Sequence, residues 1–271
     1  MIPTSQIEQW LEEDLGHHDV TSQIAGETTG RLVAKETGVV AGLDAAVGVF
    51  EYLDAATERQ VETGDYIDVG DTVLTVEGPA CDVLRGERVA VNITGHASGI
   101  ATKTRQAVAA AQDIDDAVRI AGTRKTTPGL RGIDKRAVVA GGGDTHRLDL
   151  SHMVMVKDNH IAEMGFETAI THFQERASFT TKIEVEVEQP ADAPRAAAAG
   201  ADIVLLDNLA PTETEEAVEQ LRAADSAALA EASGNITLSD VPSYAATGVN
   251  IISMGCLTHS AGVLDYSFQT T

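Results

Sequence analysis

The sequence predicts an α/β protein with an N-terminal α+β domain holding a small sheet and a C-terminal open α/β (TIM-like) barrel. Three observations carry that expectation. Hydrophobic residues fill 43% of 271 positions while aromatics fill only 4%, a balance that suits an Ala/Val/Ile-rich α/β protein and excludes a disordered chain. The first hundred residues hold short alternating runs punctuated by glycine. Beyond them, six short β-rich runs alternate with helical segments, which requires parallel strands joined by crossover helices.

Residues 4–15 read as a helix capped by Thr4 or Ser5, with Ile7, Trp10 and Leu11 on one face. Short extended segments follow at 31–35 and 39–41. Residues 63–84 alternate apolar and polar side chains around Gly64, Gly70 and Gly78, predicting antiparallel hairpins. Residues 87–112 are small-residue-rich and helical, with a break expected near Ser98-Gly99. A domain boundary is expected there: 1–102 as the first domain, 103–261 as the barrel, and 262–271 as a tail packing on the first domain. The six β-rich runs are 117–121, 153–156, 182–187, 202–206, 229–232 and 249–253, with helices at 134–140, 163–177, 191–199 and 212–224. Each run ends in residues able to do chemistry, and in parallel α/β folds active sites gather at the carboxyl ends of strands. Six consecutive units ending this way favour a barrel over an open doubly wound sheet.

Charge narrows the function. The formal net charge is -23, with six lysines against 42 acidic residues spread along the whole chain. That distribution predicts a halophile's protein, because concentrated salt shortens the screening length to about 3 Å and quenches self-repulsion. Eight of the 19 cations nevertheless fall between Arg119 and Lys157, most densely in Thr123-Arg124-Lys125-Thr126-Thr127-Pro128-Gly129. Cations retained in an anionic chain predict a pocket for a small, multiply charged anion. No basic face interleaved with aromatics suggests nucleic acid. Cys81 and Cys256 make neither a disulfide framework nor a zinc knuckle, and no apolar run spans a bilayer, so a cytoplasmic location is expected.

Within the pocket, Arg124 and Arg147 offer forked donors, while Lys125, Lys157 and His146 add further positive groups. Glu184, Glu186 and Glu188 alternate and share one side of their strand. Glu186 and the strand-ending Asp207 are the carboxylates expected to meet a cation, a sugar hydroxyl or magnesium. Ser233-Gly234-Asn235 and Ser253-Met254-Gly255 form two neighbouring glycine-bearing loops suited to a phosphate.

These residues in this order resemble the quinolinate phosphoribosyltransferase family. The likeness runs through EDLGHHDVTS (13–22), GERVAVN and SGIAT (86–102), GTRKTTPGLR (122–131), GGGDTHRLDL (141–150), MVKDNH (155–160), KIEVEVE (182–188), ADIVLLDN (201–208), EASGNIT (231–237) and GVNIISMGCLTHS (248–260). Gly16-His17-His18-Asp19 departs from the family's usual Gly-Asp, and Cys256 stands where a small residue is commoner. The resemblance implies transfer of phosphoribose from phosphoribosyl pyrophosphate to quinolinate with loss of CO2. It implies a homodimer, allowing a higher assembly of dimers, whose site is completed by Arg88 of the neighbouring subunit. Thr123, Arg124, Lys125, His146, Arg147 and Lys157 would then line the pocket for quinolinate and pyrophosphate. Glu186 and Asp207 would hold the ribose directly or through Mg2+, and Ser233, Gly234, Asn235, Met254, Gly255 and Cys256 would surround the 5′-phosphate. Lys125, Lys157, Glu186 and Asp207 are the expected catalytic set.

Alternatives remain at this level. A related phosphoribosyltransferase acting on another heterocyclic acid would use the same motifs. A Schiff-base aldolase working through Lys157 or Lys125 leaves Arg88, Arg124 and Arg147 without a role. A biotinyl or lipoyl carrier needs a lysine at a hairpin tip, and 63–84 contains none.

Overall fold

The structure, a computed structural model, describes residues 2–271. These form two compact units: one takes residues up to Arg105 with Gly132–Gly142 and Ala261–Thr271, the other Gln106–Arg131 and Gly143–Ser260.

The first unit opens with α1 (Thr4–Leu15), which buries Ile7 and Leu11. The expected Thr4 or Ser5 cap does not form. Pro3 holds the N-cap position instead, with φ −63 and no side-chain cap bond, because proline's ring presets the entry angle. Then come β1 (Glu27–Ala34), β2 (Gly38–Val39), α2 (Leu43–Tyr52), β3 (Ala56–Arg59), β4 (Tyr66–Ile67) and β5 (Thr72–Pro79). With the C-terminal β12 (Tyr266–Thr270) they build an antiparallel sheet in the order β12-β1-β5-β3, beside a β2-β4 pair. Leu32, Leu74 and Val76 pack with Phe50 of α2 in one core, and Phe50 stacks on Phe268 with ring centroids 5.6 Å apart.

The hairpins expected at 63–84 are not there. β4 pairs with β2, β5 pairs with β1 and β3, and the chain is helical from Ala80. Gly64 and Gly70 do sit in turns, at φ +99 and +96. Alternation along a strand reports which face is buried, not which strand lies alongside.

Nor does the helix break near Ser98. α3 (Ala80–Gln112) runs 33 residues without interruption. Ser98 is fully buried, accepts the Ala41 N–H at 2.9 Å and lies 3.0 Å from the Tyr266 hydroxyl. Gly99 is there for clearance, since a Cβ on it would stand 1.8 Å from the Gly262 carbonyl oxygen. Gly99→Ala should therefore destabilise by roughly 2–3 kcal/mol, because backbone rather than a flexible side chain must yield. Thermal unfolding checks this; an unchanged Tm would mean the 262 segment moves freely.

The second unit alternates strands and helices. In order along the chain come β6 (Arg119–Ala121), α4 (Arg131–Ala140, which belongs to the first unit past Arg131), β7 (Val154–Val156), α5 (Asp158–Met164), α6 (Phe166–Gln174) and β8 (Ile183–Val187). It continues with α7 (Ala193–Ala198), β9 (Ile203–Asp207), α8 (Pro211–Ala223), β10 (Leu229–Ser233), α9 (Val241–Ala245), β11 (Ile251–Ser253) and α10 (Cys256–His259). The helix expected at 163–177 is two helices divided at Gly165, whose φ of +82 no helix accommodates. All six strands are parallel in the order β6-β11-β10-β9-β8-β7, and a bridge from Ala121 to Asp144 extends the β6 edge.

This sheet is curled. Laid flat, the Asp144 segment would lie five strand spacings from β8, roughly 24 Å. Yet His146 Nε2 stands 3.4 Å from Glu184 Oε1 of β8, and Arg147 Nη2 reaches Met155 Sδ of β7 at 3.3 Å. The gap between the Asp144 segment and β7 is spanned by side chains rather than by strand pairing, which makes the barrel an open one.

Candidate active site

Strand register sorts the side chains of the barrel into two populations. Residues aligned across a parallel pair share a face. Val185, Val204, Ala230, Ile252 and Ile120 point outward into the apolar core beneath the helices. The opposite face carries Glu184 and Glu186 of β8, Asp207 of β9, Glu231 and Ser233 of β10, and Ser253 of β11. The main apolar core thus lies outside the barrel, and these polar groups share the interior face with Ile203, Leu205 and Ile251.

Burial along β8 falls from floor to mouth: Glu184 is fully buried, Glu186 partly buried, and Glu188 exposed. Lys157 follows β7, and its Nζ donates to Glu186 Oε2 at 2.5 Å. The start of α5 is fixed because the Lys157 N–H donates to the His160 ring at 3.0 Å. On the next strand, Asp207 Oδ2 accepts from Asn208 Nδ2 at 2.6 Å, and Asn208 Oδ1 accepts from Asn235 Nδ2 at 3.0 Å. Asn208 and Asn235 both adopt left-handed backbone, at φ +56 and +52. Gly234 between them is obligatory: its φ is +96 and a Cβ would fall 2.4 Å from Asn208 Oδ1. Ser253 Oγ donates to Ser233 Oγ at 3.0 Å, tying the next strand tip to this cradle. Gly255 admits the Lys125 chain, whose Cδ would lie 2.9 Å from an added Cβ.

Arg147 is a buried cation with little to satisfy it. Its residue is 8% exposed, its Nε has no partner among the described residues, and its one hydrogen bond goes to the Met155 sulfur. Burial first, and then the charge of Arg124, pull its pKa down, against the pull of Glu184. Two guanidiniums close enough to repel, one with a buried unused donor, describe a site built for an anion.

Beneath it His146 sits in left-handed backbone at φ +52, pinned where its N–H donates to Asp144 Oδ1 at 2.7 Å. Its Nε2 meets Glu231 Oε2 at 3.2 Å and Glu184 Oε1 at 3.4 Å, and both glutamates are fully buried. Burial alone would lower the imidazole pKa, but the two carboxylates outweigh it and raise the value to about 10. Burial pushes the Glu184 carboxyl upward, opposed by His146.

Some expected residues serve differently from their neighbours. Thr123 Oγ1 accepts the Lys125 N–H at 3.1 Å, shaping the loop, while Arg124 and Lys125 are exposed. Met254 is 1% exposed in the outer core, and its N–H donates to the Ala121 carbonyl, so its side chain faces away from the barrel interior. Cys256 Sγ donates to the Ile236 carbonyl at 3.3 Å. Arg88 lies on α3 in the first unit with its side chain 59% exposed, 3.7 Å from Glu87. Sequence reasoning missed Glu231, the bond from Ser253 to Ser233 and the bracing role of Asn208. Glu231 did leave a signal, a lone charge between alanines in the β-rich run 229–232. A second cleft, about 720 Å³, opens at the amino ends of β8–β10, but its Lys182 and Asp202 bond each other at 2.7 Å and alanines dominate the rest.

Known proteins resemble the chain in both sequence and fold. Residues 100–269 match the quinolinate phosphoribosyl transferase C-terminal domain, and residues 19–98 match the N-terminal domain. A probable carboxylating nicotinate-nucleotide pyrophosphorylase of Methanothermobacter thermautotrophicus is 44% identical over 270 residues, covering 97% of each chain. The human carboxylating nicotinate-nucleotide pyrophosphorylase is 40% identical over 97% of this chain and 90% of its own. A crystal structure of NadC from Streptococcus pyogenes superposes with a TM-score of 0.92 at 38% identity, covering 99% and 96% of the two chains.

Proposed function

The chain belongs to the quinolinate phosphoribosyltransferase family, and we infer from the barrel how it performs that family's reaction. It transfers phosphoribose from phosphoribosyl pyrophosphate to quinolinate, releasing pyrophosphate and CO2 and leaving nicotinate mononucleotide. The observation that carries our assignment of residues is the buried, partly unpartnered Arg147 beside the charge of Arg124.

In this reading Arg124, Arg147 and His146 take the two quinolinate carboxylates and fix the ring. Held there, the pyridine nitrogen attacks the anomeric carbon as the bond to pyrophosphate breaks, the bonding pair leaving with the pyrophosphate. Lys125 and Lys157 meet that leaving charge, with Thr123 shaping the loop. Lys157 is already aligned by Glu186. The ring nitrogen becomes cationic, so the electron pair left when the 2-carboxylate departs as CO2 is stabilised in the ring before a proton replaces it. No enzyme nucleophile is needed; positioning and fixed charge supply the acceleration. Glu186 and Asp207 hold the ribose hydroxyls, while Ser233, Gly234, Asn235 and Gly255, flanked by Met254 and Cys256, cradle the 5′-phosphate.

A divalent ion fits this donor set: Glu186 and Asp207 are oxygen ligands on adjacent strands, and Mg2+ usually takes one or two carboxylates plus substrate phosphates. When bound, Mg2+ would neutralise developing pyrophosphate charge. We further read the working unit as a homodimer with Arg88 contributed by the neighbouring subunit, open to assembly into larger oligomers. Among the described residues no helix is long and apolar enough to cross a membrane, and a cytoplasmic setting accords with this reading.

Calorimetry in molar salt, chosen because the net charge is -23, tests the assignment. Quinolinate should bind with and without phosphoribosyl pyrophosphate and Mg2+, and the complete mixture should release CO2 in step with nicotinate mononucleotide. Turnover of nicotinate but not quinolinate would overturn it.

A further inference from the structure

The buried carboxylates below His146 have no role in the chemistry above, yet they are costly to bury. Glu184 and Glu231 are both 0% exposed, and Glu184 Oε1 and Oε2 and Glu231 Oε1 have no hydrogen-bond partner among the described residues. Buried carboxylates persist when a cation faces them. Their ligand atoms and His146 Nε2 all lie within 4.8 Å of one another. We propose that Glu231 is a positioning residue that holds His146 as a fixed imidazolium, adding a permanent positive charge that selects the dianionic substrate.

β10 and β8 flank β9, so Glu231 and Glu184 approach the ring from two strands of the curled sheet. Nε2 carries one hydrogen, and the contact meeting hydrogen-bond geometry is to Glu231 Oε2 at 3.2 Å; Glu184 contributes attraction at 3.4 Å. The other groups facing this cluster are the Arg147 guanidinium and the Asp144 carboxylate, which already accepts the His146 N–H. Counting Glu184, Glu231 and Asp144 against Arg147 and a charged His146 gives three negative groups and two positive ones, a balance that favours the imidazolium over a neutral ring. No described residue accepts from Nδ1, so a doubly protonated ring keeps one donor for a ligand. A neutral ring, by contrast, would spend its one N–H on Glu231, turn a bare Nδ1 lone pair toward quinolinate and leave Arg147 alone to balance two buried carboxylates.

The sign follows from the raised pKa of about 10. The imidazolium persists from acid through pH 9 and is lost only as the pH rises through that value, so quinolinate affinity should not fall between pH 6 and 9. In Glu231→Gln the principal acceptor is gone, and the ring should titrate nearer the free-histidine value of about 6.5, leaving only a few per cent charged at pH 8.5. The KM for quinolinate in E231Q should then rise about tenfold or more between pH 6 and 8.5, with kcat changing less than about threefold. Wild-type KM should stay flat across that range.

This inference rests on His146 touching quinolinate, and His146→Asn separates the two ideas. If H146N leaves KM unchanged, the substrate contact is wrong. If H146N raises KM while E231Q follows the flat wild-type profile, the contact stands and the role of Glu231 is wrong. Should E231Q fail to fold, nitrogen NMR of histidine-labelled wild-type enzyme decides, with H146N assigning the resonance. Both ring nitrogens protonated at pH 8 supports the proposal, whereas a neutral or metal-bound ring overturns it.

Discussion

Arg147→Ala should cost about a thousandfold in kcat/KM for quinolinate, equivalent to ~4 kcal/mol, while leaving the fold intact. The size follows from burial. A surface arginine would have been shared with water, but at 8% exposure the charge is largely desolvated before the substrate arrives, and its Nε is unspent. A carboxylate docking there gains a charge-assisted bond without first displacing a protein partner. The same logic predicts that Arg147→Lys recovers little, because a point charge on a flexible stem cannot reproduce the guanidinium fork. Stability should move the other way. Removing a partly unpaired buried cation beside Arg124 relieves desolvation and repulsion that together outweigh its attraction to Glu184, so the R147A Tm should match or exceed wild type. Steady-state CO2 release and a thermal scan test both halves. An R147A enzyme within tenfold of wild type would remove Arg147 from the binding site.

What the sequence made legible was the rim of this site. Lys157, Glu186, Asp207, Ser233 and Gly255 each follow or close a β-rich run, and a repeated strand-helix rhythm places such residues at one end of a parallel sheet. The barrel floor was harder to see. Glu184 and Glu231 sit inside their strands, where parity distinguishes inward from outward only once the barrel is known to have a polar interior. Their approach to His146 depends on curvature that brings the two edges of a six-stranded sheet together, and no local pattern encodes it. The first unit misled for a related reason. The alternation in 63–84 gave β4 and β5 their buried faces but not their partners, since β5 pairs with segments some forty and twenty residues earlier in the chain. Gly99 resembled a helix breaker because a glycine for close approach and one for flexibility are the same letter.

Mixing two inactive variants should restore activity. Arg88→Ala and Lys125→Ala are each expected to lose at least about a hundredfold, since in the proposed site each removes a cation facing a charged substrate. Arg88 is a solvent-facing side chain of the first unit whose ion-pair partner is its own neighbour Glu87, at 3.7 Å. In a chain with six lysines and a net charge of -23, an arginine so weakly engaged calls for a partner beyond its own helix. If that partner is the substrate in the adjacent subunit of a two-fold dimer, each site takes Arg88 from one chain and Lys125 from the other. Random exchange between the variants makes half the dimers hybrid. Every hybrid carries one doubly substituted site and one intact site, so the mixture should reach about a quarter of wild-type activity. Co-expression with two different tags, followed by sequential purification, isolates the hybrid, which should then show about half. A single-chain site gives a different result, because no hybrid would then contain a complete site and the purified heterodimer would stay inactive.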